Sequence, residues 1–195
     1  MVIFFDYRCI IVSLIIYIVG MIFLRKKGLI FLGIYSLFFI YLTQVIRLTQ
    51  FPIYNEEFER ELFGKIAIGN GINLIPFIDA WNITSVLNVI MFIPFGFFLP
   101  LLSKMKYQVF VCAGILFSFI IECAQLIIAI VVGYTTRVVD INDIIFNAIG
   151  TISGIIIFRV FWRLIKSIYG KNVSNLLCKY ICDMGMREMN IQTDR

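Results

Sequence analysis

Glu122 and Gln125 stand three residues apart within one apolar run, so a helix over that run carries both on a single face. A carboxylate at the centre of a bilayer costs on the order of 3 kcal/mol by insertion scales unless it is protonated or paired. Glu122 therefore needs a partner or a role. Arginine suits a carboxylate through its planar fork of donors, and the next polar stretch, Gly133 to Asp143, supplies Arg137 together with Asp140 and Asp143. Asp143, Asn147, Gly150 and Gly154 then fall at i, i+4, i+7 and i+11, one continuous helical stripe. Asn88 lies early in an earlier apolar run. Seven residues, Asn88, Glu122, Gln125, Arg137, Asp140, Asp143 and Asn147, form a candidate ligand-binding set that could hold a polar head group. The same set could do acid–base work, with Glu122 or Asp143 as base and Arg137 stabilising developing charge. Plainer readings stand beside these. Arg137, Asp140 and Asp143 would also serve to cap a helix and solvate a loop, and a Glu122–Arg137 pair could be architectural. Gly150 and Gly154 form a G-x-x-x-G step for close helix packing.

The chain has no histidine, which removes the commonest general base and the commonest metal ligand together. Five cysteines remain, Cys9, Cys112, Cys123, Cys178 and Cys182, three of them in apolar runs where cysteine acts as a small hydrophobe. Cys178 and Cys182 are one helical turn apart, but two thiolates alone make a poor metal site. Neither a metal nor a cofactor is expected.

These residues must be positioned by membrane helices. Hydrophobic residues make up 61% of the 195 and charged residues 15%, with a mean hydropathy of +0.97; a soluble domain carries about a quarter charged residues. The net charge of +5 is scattered among apolar runs and does not suggest nucleic acid. Apolar runs at about 9–24, 29–46, 83–102, 107–132 and 144–165 each approach the roughly 20 residues that cross a bilayer. The expected fold is an all-α integral membrane protein of five transmembrane helices, in one domain over residues 1–170. The first run is followed, not preceded, by its basic cluster Arg25, Lys26 and Lys27, so it reads as a retained helix and not a signal peptide. Phe58, Leu62 and Ile66 recur every four residues among Glu56, Glu57, Glu59, Arg60 and Glu61, an amphipathic interfacial segment. A Gly- and Pro-punctuated loop, residues 69–77, follows. Pro94 and Pro100 fall inside the third helix, where Pro94 removes a backbone hydrogen bond and should kink it. Residues 171–195 keep helical spacing with lysines between, as expected of a helix lying on the inner membrane surface.

Basic residues fix the expected orientation. Arg25, Lys26, Lys27, Lys104, Lys106 and the seven from Arg159 onward fall on one side; Arg8, Arg47, Arg60, Lys65 and Arg137 fall on the other with most of the acids. The positive-inside rule puts the larger group in the cytoplasm, with the amino terminus outside, the carboxyl terminus inside and the 56–66 segment extracellular.

The ordered set of motifs resembles the VanZ family. It comprises Asn73-Leu-Ile-Pro-Phe77, Asn88-Val-Ile-Met-Phe-Ile-Pro-Phe-Gly96 with Pro100 beyond, Glu122-x-x-Gln125, Arg137-Val-Val-Asp140-Ile-Asn-Asp143 and Asn147-x-x-Gly150-x-x-x-Gly154. Each piece is weak alone and the order is specific; the likeness covers about residues 35–160. The resemblance implies a multi-pass protein of the bacterial cytoplasmic membrane linked to reduced susceptibility to teicoplanin and related lipoglycopeptides. It transfers no mechanism.

Three functions compete. An envelope factor would engage a lipoglycopeptide or a lipid-linked cell-wall component in an outward polar cleft, with Arg137 on phosphate or carboxylate. A membrane-embedded enzyme would act on a polyprenyl phosphate or other lipid. A small transporter or flippase subunit would need a homo-oligomer, for which the G-x-x-x-G face offers a contact surface.

Overall fold

Asp6 sets where the first helix begins: its Oδ1 accepts from the backbone N–H groups of Arg8 (3.0 Å) and Cys9 (3.4 Å), the capping that unpaired amides of a first turn require. The computed structural model describes residues 2–54, 72–77, 82–133, 139–169 and 175–193. In chain order these form β1 (Val2–Ile3), α1 (Tyr7–Leu24), a 3-10 turn (Arg25–Lys27), α2 (Leu29–Gln50), β2 (Ile53–Tyr54), β3 (Ile72–Asn73), α3 (Ile83–Leu102), α4 (Tyr107–Val132), β4 (Val139–Asp140), α5 (Ile141–Tyr169) and α6 (Leu176–Thr193). Helices α1 to α5 are long and apolar enough to cross a membrane.

The helical expectation holds for the architecture, with corrections at its edges. Strand β1 pairs antiparallel with β2, and β3 pairs in parallel with β4, Ile72 opposite Val139 and Asn73 opposite Asp140. These two-residue ladders leave no periodicity to read, so an all-α expectation misses them. Helix α2 runs on to Gln50, and α5 begins at Ile141, which places Asp143 in the first helical turn and not in the preceding loop. The amphipathic 56–66 segment lies outside the described residues.

Small residues decide which helices meet. Gly150 and Gly154 face the backbone of α3: a Cβ on Gly150 would strike the Val89 carbonyl, and one on Gly154 the Ile93 carbonyl. Gly96 of α3 answers from the other side, against the Thr151 carbonyl. The α3–α5 pair is therefore backbone against backbone at the centre of the bundle. The G-x-x-x-G step thus serves close helix packing within the chain, which leaves it unavailable as the contact surface that a transporter oligomer would use. Phenylalanines fill the space around that pair; Phe95 stacks on Phe117 of α4 at 5.2 Å with ring planes 4° apart, and Phe38 of α2 closes on Phe95 at 5.8 Å. Helix α3 continues through both of its prolines. Pro94 leaves the Ile90 carbonyl without its helical donor, and at the adjacent Met91 carbonyl the Tyr41 hydroxyl donates at 2.8 Å, so α2 braces α3 at the proline.

Helix α1 buries none of its residues and leans on α2 through Tyr17, whose ring stacks on Tyr35 and whose hydroxyl bonds Ser36 Oγ at 2.8 Å. Gly28, at φ 95°, turns the chain between them in a conformation that costs other residues. At the far end Ile181 of α6 packs with Ile34, Leu101, Phe158 and Trp162. The Tyr180 hydroxyl donates at 2.7 Å to the Leu101 carbonyl, one of the acceptors that the last turn of α3 leaves unfilled. Cys178 and Cys182 are free thiols on α6, Cys182 buried.

Candidate functional site

The polar residues gather at the end of the bundle opposite Trp162, where the last turns of α2, the C-terminal half of α4 and the first turns of α3 and α5 converge. Local capping places them. The Asn82 side chain accepts from Ser85 N at 2.9 Å, which starts α3 at Ile83 and puts Asn88 in its second turn. Asp140 Oδ1 accepts from Asn142 N at 2.8 Å, an N-cap that starts α5 at Ile141. From those starts Asn88 Nδ2 donates to Asp143 Oδ1 at 2.6 Å, tying the two central helices together beside the glycine crossing.

A second layer closes over this pair. Asn73 Nδ2 donates to Asp140 Oδ1 at 3.0 Å, and Asn142 Oδ1 accepts the Phe77 amide at 2.7 Å. The segment between, residues 74–76, is thus pinned at both ends to the start of α5. Phe77 itself sits at φ 65°, a left-handed conformation that a bulky side chain disfavours, and the bond to Asn142 holds it there. Glu122, 4% exposed on α4, accepts the Asp140 backbone N–H on Oε2 at 3.2 Å. Gln125 donates from Nε2 to the Thr49 carbonyl at 3.1 Å, filling an acceptor at the end of α2. In return Gln50 Nε2 reaches the Ile121 carbonyl of α4 at 3.4 Å.

Within this frame lies a cavity of about 1090 Å³. Asn88, Glu122, Gln125, Asp140, Asp143 and Asn147 all line it, so six of the seven candidate residues meet at one cavity; Arg137 lies outside the described residues. The tasks differ among the six. Asp140 is a helix cap and Gln125 a lock between α2 and α4, which is the plainer reading of each. Asp143 bonds Asn88 through one oxygen, and no further hydrogen bond engages it among the described residues. Asn147, 2% exposed, donates to Ser118 Oγ at 2.8 Å while its Oδ1 has no partner among the described residues. A buried amide oxygen left unpaired costs about 1–3 kcal/mol. Among the described residues no group of three or more His, Cys, Asp or Glu is placed to hold a metal ion.

Reading by residue type overlooked Asn73, Asn142, Thr49 and Ser118. Asn73 and Asn142 fall within the motifs that carry the VanZ resemblance but were given no role, although asparagines near Asp140 and Pro76 are the residues that build local turns. Ser118 and Thr49 carry no signal in the sequence, because a hydroxyl in an apolar helix ordinarily bonds its own backbone, as Thr49 does to Val45 at 2.8 Å.

Among curated proteins and among solved structures, no match to the chain was found. The model of the VanZ/LLP1 family matches residues 29–163, which span α2 to α5, the whole cavity wall and more than half of the chain. The matched stretch leaves out the peripheral α1 and the packed-on α6 and contains the Asn88–Asp143 tie, the buried Glu122 and the Gly150–Gly154 crossing: the chain is a VanZ-like membrane protein and belongs to the VanZ/LLP1 family.

Proposed function

We propose that this protein acts in the bacterial cytoplasmic membrane, with its amino terminus outside, and lowers susceptibility to teicoplanin and related lipoglycopeptides. It would do so by holding the drug, or a lipid-linked cell-wall component, in the cavity at the outer end of the bundle. The observation that carries this reading is the cavity itself: about 1090 Å³, lined by the polar Asn88, Glu122, Asp143 and Asn147 together with apolar side chains such as Leu87 and Ile90. That is the composition an amphiphile needs, with a few placed polar groups among apolar ones. The charge pattern supports the orientation, since Arg25–Lys27, Lys104, Lys106, Arg163 and Lys166 all lie away from the cavity end. Glycopeptides and their cell-wall targets are outside, where the cavity would then open. Arg137 remains the candidate cation for a phosphate or carboxylate of the ligand.

The test is drug susceptibility of a sensitive strain expressing the wild type, Glu122→Gln or Arg137→Ala, with protein levels matched by immunoblot and labelled teicoplanin binding to the cells measured in parallel. Loss of the phenotype in both variants at normal protein level is the expected result. Full resistance in both would sink the site.

A further inference from the structure

We infer that the group seated against α5 is a hydroxylated, saccharide-type head group, carried by an amphiphile that enters sideways from the membrane between α2 and α3. This rests on the reading of the cavity as a binding site and specifies its ligand. The deep wall offers an acceptor, the second oxygen of Asp143, and near it stands Asn147, whose buried Oδ1 has no hydrogen-bond partner among the described residues. A ligand that satisfies the Asp143 oxygen must bring a hydrogen-bond donor, which a sulfate or a fully ionised phosphate does not. Asp140 and Asp143 place two carboxylates at the start of α5 on the cavity lining, so an anion seated directly against them meets repulsion.

An ammonium group would supply donors but cannot accept. The rest of the wall mixes amides and hydroxyls, among them Asn82, Thr84 and Asn88, which can offer both. A sugar hydroxyl donates and accepts at one atom and suits both kinds of neighbour. The apolar rim supplies the rest of the ligand. Leu48 of α2 and Leu87 and Ile90 of α3 line the cavity while remaining 64%, 54% and 55% exposed, so the cavity opens through a face that points toward lipid. A hydrocarbon tail leaving over those three residues stays in the bilayer while its head reaches Asp143.

The experiment uses the full-length protein in native membranes and three photoactivatable amphiphiles of one chain length: an alkyl glucoside, an alkyl phosphate and a primary alkylammonium, each with a diazirine in the tail. Adducts are mapped by mass spectrometry at Leu48, Leu87 and Ile90 and, as a bulk-lipid reference, at Ile120 on the outer face of α4. The glucoside is expected to label the rim saturably and Ile120 without saturation. Rim labelling should fall about tenfold in Asp143→Ala, the loss of one hydrogen bond to a charged group. Ile90→Trp, which fills the opening without touching the polar wall, should abolish it even if the first variant folds poorly. Competition by unlabelled membrane glycolipid or by teicoplanin then distinguishes the two sources of the sugar. Equal saturable labelling by the phosphate or ammonium probe would overturn the head-group class while leaving a binding cavity in place. Rim labelling by the glucoside no stronger than at Ile120 would overturn the inference, whatever the drug phenotype.

Discussion

Asn88 and Asp143 are joined at 2.6 Å across the two helices that pack most closely, so each holds the other in the cavity wall. A hydrogen bond between membrane helices averages only about 0.6 kcal/mol and reaches about 1.7 at most. Asn88→Ala and Asp143→Ala should each lower stability modestly, and the double variant should cost less than the sum, because the second change removes a bond already broken. A double-mutant cycle of unfolding in mild detergent reads this; strict additivity would mean that the pair does not couple. Phe77 offers a separate test. Its φ of 65° costs on the order of 1–3 kcal/mol in a non-glycine residue, and its side chain is exposed. Phe77→Gly should therefore raise the unfolding midpoint whereas Phe77→Ala should not, since alanine keeps the Cβ that makes the conformation strained.

Between helices, glycine matters more than any single hydrogen bond. Gly150 and Gly154 of α5 lie against the Val89 and Ile93 carbonyls of α3, so even a methyl group requires the helices to separate. Gly154→Val should destabilise by more than the 1–3 kcal/mol of ordinary core overpacking, because rigid backbone and not a side chain must move. Tyr41→Phe, which removes the bond to the Met91 carbonyl and no volume, should remain close to wild type. Thermal unfolding of the two variants side by side checks the ranking. A Tyr41→Phe protein less stable than Gly154→Val would show that the proline brace, not the glycine crossing, holds the bundle.

For the molecule as a whole, orientation and the α6 cap can be tested apart. A reporter fused after residue 138 should be active outside the cell and one fused after residue 170 inside; a cytoplasmic signal at 138 would turn the cavity away from the cell wall. Truncation after residue 170 removes the packing of Ile181 and the Tyr180 bond to the Leu101 carbonyl at the end away from the cavity. Such a chain should unfold at lower temperature yet keep the photolabelling of the cavity rim.

The five helices, the α3 and α4 boundaries and the concentration of polar groups at one end were legible in the linear order, because each depends on local quantities: length of apolar run, capping residue and helical period. The glycine stripe was legible as a contact surface, but not as one that α3 already covers. Which partner each polar residue takes could not be read, because the partners lie far apart in the chain: Asn88 with Asp143, Gln125 with Thr49, Asn73 with Asp140. Pairings of that kind depend on how closely helices approach, and glycines on two different helices set that distance. Tertiary packing therefore separated the capping Asp140 and the locking Gln125 from Asp143 and Asn147, each of which keeps an oxygen without a hydrogen bond among the described residues.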